Sequence, residues 1–328
     1  MMKFNIQRTG RAILHVTDLD KSREFYEALG FIETESDDEN IFYRAIEDHN
    51  HHCLWLKKKP EAAVEAISYR VVSEKDLDEL AVHFEAEGAR IKWMEKGSQP
   101  GIGRTLRVQD ISGIPVEFYA EMDKAEMMLQ RFDIHVGAKV QRIDHFNCAV
   151  SDVQKAYDYY TEKLGFACSE YTTAKGYDKI WAAWLHRKPG VHDVAFMNSI
   201  GPRLHHIGFW LKDPMSLIDG CDYLAAKGFA PNIERGPGRH GLSNAFFLYL
   251  RDPDGHRIEL YNGDYYTGDD DFEPIEWDLD DPQRQTFWGH EAPDSWFEEA
   301  SVFLDIHTGE KVDTAQPTLE KRKPETII

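Results

Sequence analysis

Residues 142–166 read RIDHFNCAVSDVQKAYDYYTEKLGF, and residues 11–31 read RAILHVTDLDKSREFYEALGF. Each opens on a short strand-like run. A V-x-D turn follows, whose aspartate suits a helix N-cap. Next comes an amphipathic stretch with paired aromatics, Phe25/Tyr26 in one copy and Tyr159/Tyr160 in the other. Both copies close on Leu-Gly-Phe. Glycine there suits a left-handed C-cap, and the phenylalanine starts the next strand. Such self-similarity predicts a repeated supersecondary unit.

A second pair widens the pattern. Residues 66–89, AISYRVVSEKDLDELAVHFEAEGA, parallel 206–229, HIGFWLKDPMSLIDGCDYLAAKGF. Each runs on into alternating strand segments that end in DISGIPVEFYAEM (110–122) and DPDGHRIELYNGD (252–264). Asp-Pro-Asp-Gly is hairpin chemistry. The expected fold class is therefore α+β, with four repeated βαβββ modules paired into two curved-sheet domains. Residues 1–137 form the N-terminal domain, including a connecting segment over 123–137. Residues 138–264 form the C-terminal domain. Residues 265–328 are an acidic, aromatic tail that serves as a lid or a subunit contact, with a polar and loose end.

Composition narrows the function class. The chain has 328 residues, 42% of them hydrophobic, and a net charge of −20. Such a surface repels phosphate backbones and anionic lipid, so neither nucleic acid nor a membrane is an expected partner. The four cysteines form no CxxC pair, which suits free thiols in the cytoplasm. The N-terminus MMKFNIQRTGR lacks the apolar run of a signal peptide.

Chemistry concentrates in three strand-like runs, RIDHFNCAV, LHHIGFWL and HRIELY. They carry His145, His206 and Glu259. Two imidazoles and one carboxylate suit a divalent first-row metal that keeps open positions, as in non-haem Fe(II) oxygenases. Strand alternation puts His145, Asn147 and Ile143 on one face, and His206 with Gly208 on one face. The repeat supplies an internal control. His145 falls opposite Arg11, His206 opposite Ala66 and Glu259 opposite Glu117. The first half keeps only the carboxylate, so a metal site is expected in the second half alone.

From residue 142 to about 300 the chain resembles the type I extradiol ring-cleaving dioxygenases of the vicinal oxygen chelate superfamily, and the four-module plan covers nearly all of it. The resemblance implies that His145 (IDHFN), His206 (LHHIGF) and Glu259 (GHRIELY) ligate Fe(II) or Mn(II). It implies that His192, in VHD, is the acid/base histidine and that Asn147 lies beside the oxygen site. It makes Tyr249 (FLYLRDPDG) and His240 (GRHG) hydrogen-bond partners of the substrate. Trp184 and Arg235 match pocket positions, and Arg284 offers a cation to a substrate carboxylate. Paired arginines are expected at that last place, and DPQRQ has Gln285 second. The implied reaction is O2-dependent meta cleavage of a catechol, most like 3,4-dihydroxyphenylacetate, by a homotetramer.

Other polar residues read as structural. His205 should point away from His206. HNHHC (49–53) reads as a solvated loop, His256 as a turn residue and Asp269–Asp271 as a solvated turn. Two other classes use the same modules: metal-dependent isomerases or lyases of glyoxalase type, and non-catalytic binding proteins. Oxygen uptake on catechols and metal content separate them.

Overall fold

The computed structural model describes residues 4–174 and 178–320; the polar extreme end, 321–328, lies outside them. The first half runs β1 (Ile6–Val16), α1 (Leu19–Leu29), β2 (Ile32–Ser36), β3 (Asn40–Arg44), β4 (Leu54–Lys58), β5 (Ala63–Val71), α2 (Glu74–Ala86), β6 (Ile91–Met94), β7 (Thr105–Gln109) and β8 (Pro115–Tyr119). The second half repeats the order with β9 (Arg142–Val150), α3 (Val153–Asp158), β10 (Ala167–Thr173), β11 (Ile180–His186), β12 (Val194–Asn198), β13 (Arg203–Trp210), α4 (Pro214–Ala226), β14 (Ile233–Arg239), β15 (Phe246–Arg251) and β16 (Arg257–Asn262). The tail adds β17 (Ile275–Asp278), α5 (Pro282–Gln285), α6 (Asp294–Glu298) and β18 (Ser301–Val302).

The two sheets have the same strand order. One is β2-β3-β4-β1-β5-β8-β7-β6, and the other contains β14-β15-β16-β13-β9-β12-β11-β10, which is that order read from its far edge. Each first strand of a module lies at the centre, and β1 pairs with β5 as β9 pairs with β13. The tail strand β17 extends the second sheet beside β10.

Local chemistry explains the boundaries. The Asp18 carboxylate accepts from the backbone of Asp20 and Lys21, and Asp152 accepts from Lys155. Gly30 sits at φ 92° and Gly165 at φ 74°, so both act as left-handed stops. One apolar core runs through both halves, with Phe31 meeting Phe209 edge-on at 4.8 Å. Burying a ring of that size contributes about 1.5–3 kcal/mol.

Strict alternation fails at two places, and both matter for the site. Along the β9–β13 ladder, Gly208 faces His145 but Phe209 faces Ile143, which leaves Asp144 as an extra residue. Leu204 faces Cys148 but His206 faces Asn147, which leaves His205 as an extra residue. Each is a β-bulge, which re-aims the neighbouring side chains. Ile143 therefore turns into the hydrophobic core rather than sharing a face with His145.

The N-terminal copy fills the corresponding place with an internal ion pair. Arg11 is fully buried, and its Nε lies 3.1 Å from Glu117 Oε1. Arg107 Nε approaches the other carboxylate oxygen at 2.7 Å. His52 Nε2 lies 2.7 Å from Arg11 Nη1, and His52 is buried, so the 49–53 segment is only partly the solvated loop its composition suggests. Burial opposes charge on Glu117, but Arg11 and Arg107 overcome it and hold the carboxyl at about 2. His256 is likewise buried, bridging the His15 carbonyl and the Ser301 hydroxyl.

Candidate metal centre

His145, His206 and Glu259 come from the adjacent central strands β9, β13 and β16. His145 Nε2 lies 2.9 Å from Glu259 Oε2, His206 Nε2 lies 3.0 Å from the same oxygen, and the two Nε2 atoms are 3.3 Å apart. All three side chains are buried. On the middle ligand strand, β13, Gly208 pairs with His145 on one side and with Glu259 on the other. A Cβ there would fall 2.3 Å from His145 Nε2, so only glycine leaves room for the ring.

The far nitrogens of both rings are also engaged. Asp144 Oδ2 lies 3.1 Å from His145 Nδ1, and Tyr261 donates its hydroxyl to the same oxygen. Lys188 Nζ lies 3.4 Å from that oxygen. His206 Nδ1 lies 2.8 Å from His205 Nδ1. The adjacent histidine thus does not point away: the bulge brings both rings to one place. With Nδ1 so occupied, two Nε2 lone pairs and a carboxylate converge on one point. That arrangement needs a positive charge, either a divalent ion or a proton on an imidazole. Burial lowers the basicity of both rings. Asp144 and Glu259 outweigh it at His145, raising it to about 9, whereas His206 falls to about 4. The donor set and its orientation fit a first-row divalent metal.

A pocket lies beside these ligands, walled by Trp181, Trp184, Leu242, Trp296 and Phe297. His192 lines it, with its ring centroid 3.9 Å from that of His145 and its Nδ1 without a hydrogen-bond partner. Burial, then His145 and Lys188, pushes His192 well below the usual imidazole range, so the ring is neutral. Asn147 lines the same space, and its Oδ1 is also unpartnered. His240 Nε2 lies 3.0 Å from the Tyr249 hydroxyl, and both residues line the pocket.

Both arginines are buried, lowered to about 10 and left with unpartnered guanidinium nitrogens, but only one reaches the pocket. Arg284 lines the pocket, is buried, and keeps Nε unpartnered; burial lowers it to about 10. Arg235 is not among the lining residues. It lies 4.7 Å from the ring centroids of Phe247 and Trp296, and donates to the Thr286 hydroxyl. Gln285 lines the pocket beside Arg284. Sequence reading missed Asp144, His205, Trp181, Ser243, Trp296 and Phe297. Only the first two carry a signal, each standing directly before a ligand histidine.

Two family models match the chain, one in each half. Residues 142–260 match the Glyoxalase/Bleomycin resistance protein/Dioxygenase superfamily, and residues 64–123 match the catechol 2,3-dioxygenase-like N-terminal domain. The homoprotocatechuate 2,3-dioxygenase of Arthrobacter globiformis superposes with a TM-score of 0.92 at 42% identity, covering 96% of this chain and 97% of that one. The chain belongs to the type I extradiol ring-cleaving dioxygenases of the vicinal oxygen chelate superfamily. An extradiol dioxygenase from B. fuscum superposes on this dioxygenase with a TM-score of 0.93 at 41% identity, covering 97% of this chain and 88% of that one. A manganese-dependent 2,3-dihydroxybiphenyl 1,2-dioxygenase of Geobacillus genomosp. 3 is 32% identical over 302 residues, 88% of this chain and 95% of that one. Among the described residues of the dioxygenase, no helix is long and apolar enough to cross a membrane.

Proposed function

We propose that this dioxygenase opens a catechol ring beside its hydroxyl pair, inserting both atoms of O2 to give a 2-hydroxymuconic semialdehyde. The reading rests above all on the convergence of His145 Nε2, His206 Nε2 and Glu259 Oε2 at the edge of an aromatic-walled pocket. These three residues hold Fe(II) or Mn(II), which lowers the pKa of catechol hydroxyls and brings substrate and O2 together. His192 is the acid/base: its imidazole lines the pocket beside His145, where it takes a proton from a substrate hydroxyl and returns it as the ring opens. Tyr249 and His240 hold the substrate oxygens by hydrogen bonds, and Asn147 stands at the oxygen side. Trp184 packs against the substrate ring.

The substrate carries a carboxylate on its side chain, as 3,4-dihydroxyphenylacetate does. Arg284 supports this, because a buried guanidinium with an unpartnered N–H at the pocket wall is completed by an anion. Arg235 backs the same wall from behind Trp296. A neutral substituted catechol is the second reading, favoured by Gln285 at the position beside Arg284. We assign 1–137 to a metal-free domain, 138–264 to the catalytic domain and 265–328 to a tail that serves as a lid or a subunit contact, with Arg284, Gln285, Trp296 and Phe297 in the pocket wall. We propose that the chain works as a homotetramer in the cytoplasm, with the exposed Met127 and Phe132 of the connecting segment as candidate contact residues.

The test is O2 uptake and the yellow semialdehyde absorbance on a panel of catechols, with Fe(II) or Mn(II) and with bound metal quantified. Preference for the carboxylated catechol supports the first substrate reading, and preference for neutral catechols the second. Absence of turnover on every catechol with metal bound rejects the function.

A further inference from the structure

Both ligand histidines follow a bulged residue, and each bulged residue turns its side chain to the ligand's Nδ1. For His145 the partner is the anion Asp144. For His206 it is a second imidazole, His205, which has another nitrogen to place. His205 Nε2 lies 2.9 Å from the carbonyl of Trp296, on the tail helix α6.

With both rings neutral, this chain of contacts has one consistent set of protons. A carbonyl only accepts, so His205 carries its hydrogen on Nε2. His205 Nδ1 is then a bare acceptor, and His206 Nδ1 donates to it. That leaves the His206 lone pair on Nε2, facing Glu259 and His145. Arg257 fastens the same two elements together. It donates to the carbonyls of His205, Ser295 and Glu299, and its guanidinium lies 5.1 Å over the Trp296 ring.

We infer that His205 is a positioning residue for the metal, transmitting the seat of the tail helix to His206 and fixing His206 as an Nε2 ligand. The segment after residue 264 is in this sense part of the metal centre, although it supplies no ligand. The inference rests on the metal site proposed above.

The test uses the full-length chain and titration with Mn(II), read by loss of the free-ion EPR signal, with circular dichroism to confirm folding. Wild type should bind one ion per chain; if it does not, the metal site itself is wrong, and that failure is separate from failure of the inference. His205→Phe keeps ring volume and loses both nitrogens, and should weaken Mn(II) binding by roughly 10- to 100-fold. His205→Asn restores an acceptor near the Nδ1 position and should recover most of that loss. Unchanged affinity in the phenylalanine variant overturns the inference, as does equal weakening in both. If His205→Phe fails to fold, the wild type still decides. With Zn(II) bound, 15N-histidine spectra should show His205 protonated on Nε2, and a proton on Nδ1 instead overturns the inference.

Discussion

Replacing Gly208 by alanine should damage the metal site while leaving most of the fold intact. Gly208 lies in the middle of β13, with β9 on one side and β16 on the other. Its new Cβ would lie 2.1 Å from His145 Cε1, 2.3 Å from Nε2 and 2.5 Å from Nδ1. The backbone has nowhere to retreat, because both neighbouring strands are ladder-bonded at that register. The imidazole must move instead. Overpacking of this kind costs about 1–3 kcal/mol. Without metal, His145 escapes much of that cost by swinging aside. Bound metal holds the ring in place, so the cost falls on affinity. The expected result is a Mn(II) dissociation constant raised roughly 5- to 150-fold, with a smaller loss in metal-free stability. Metal titration beside thermal unfolding of the metal-free chain measures both. Wild-type affinity, or a stability loss as large as the affinity loss, would refute the argument that strain is carried by the ring.

Other outcomes follow from the same geometry. His192→Phe should bind metal normally and lose most turnover, on the order of 10²–10⁴-fold for a lost acid/base group; single-turnover kinetics with quantified metal checks this, and near-wild-type rates remove His192 from the chemistry. Arg284→Leu should raise KM for a carboxylated catechol and leave KM for unsubstituted catechol almost unchanged, with equal effects on both speaking against a carboxylate contact. Glu117 is held at about 2 against an ordinary 4.5. Its contribution is therefore present above pH 4.5 and is lost as pH falls through 2, and is worth on the order of 3 kcal/mol. Denaturant unfolding of wild type and Glu117→Gln should show a gap that closes between about pH 4.5 and 2, and a gap constant with pH contradicts the ion-pair account. Chelation should lower the melting temperature as well as abolish activity, since an ion that binds only the folded chain stabilises it.

The architecture was legible because modules repeat strongly in sequence: capping aspartates, Leu-Gly-Phe closures and alternating strands all mark it. The triad was legible because His145 and His206 have no counterparts at Arg11 and Ala66. What escaped was register. A bulge adds one residue to one strand, and no residue type announces it. Strict alternation therefore puts Ile143 on the metal's face and His205 on the opposite one, and the bulges reverse both. The buried role of His52 was hidden for a related reason. Its partner Arg11 is 41 positions away in sequence, and a cluster of histidines beside asparagine reads as polar surface. The pocket walls Trp181 and Trp296 were lost among the chain's many aromatics, because nothing local distinguishes a ring facing substrate from one facing core.

The bulges have a wider consequence. The β1–β5 ladder also skips between Thr9 and Ala12, and again between Ile13 and Leu14, around the positions that correspond to His145 and His206. The same backbone shape thus serves the candidate metal ligands in one half and an arginine–glutamate pair in the other. Peptide geometry at these crossings is indifferent to what it encloses, and the identity of the enclosed cation is decided by side chains alone. The N-terminal half is therefore a ready scaffold for installing a second centre by substitution rather than by rebuilding strands.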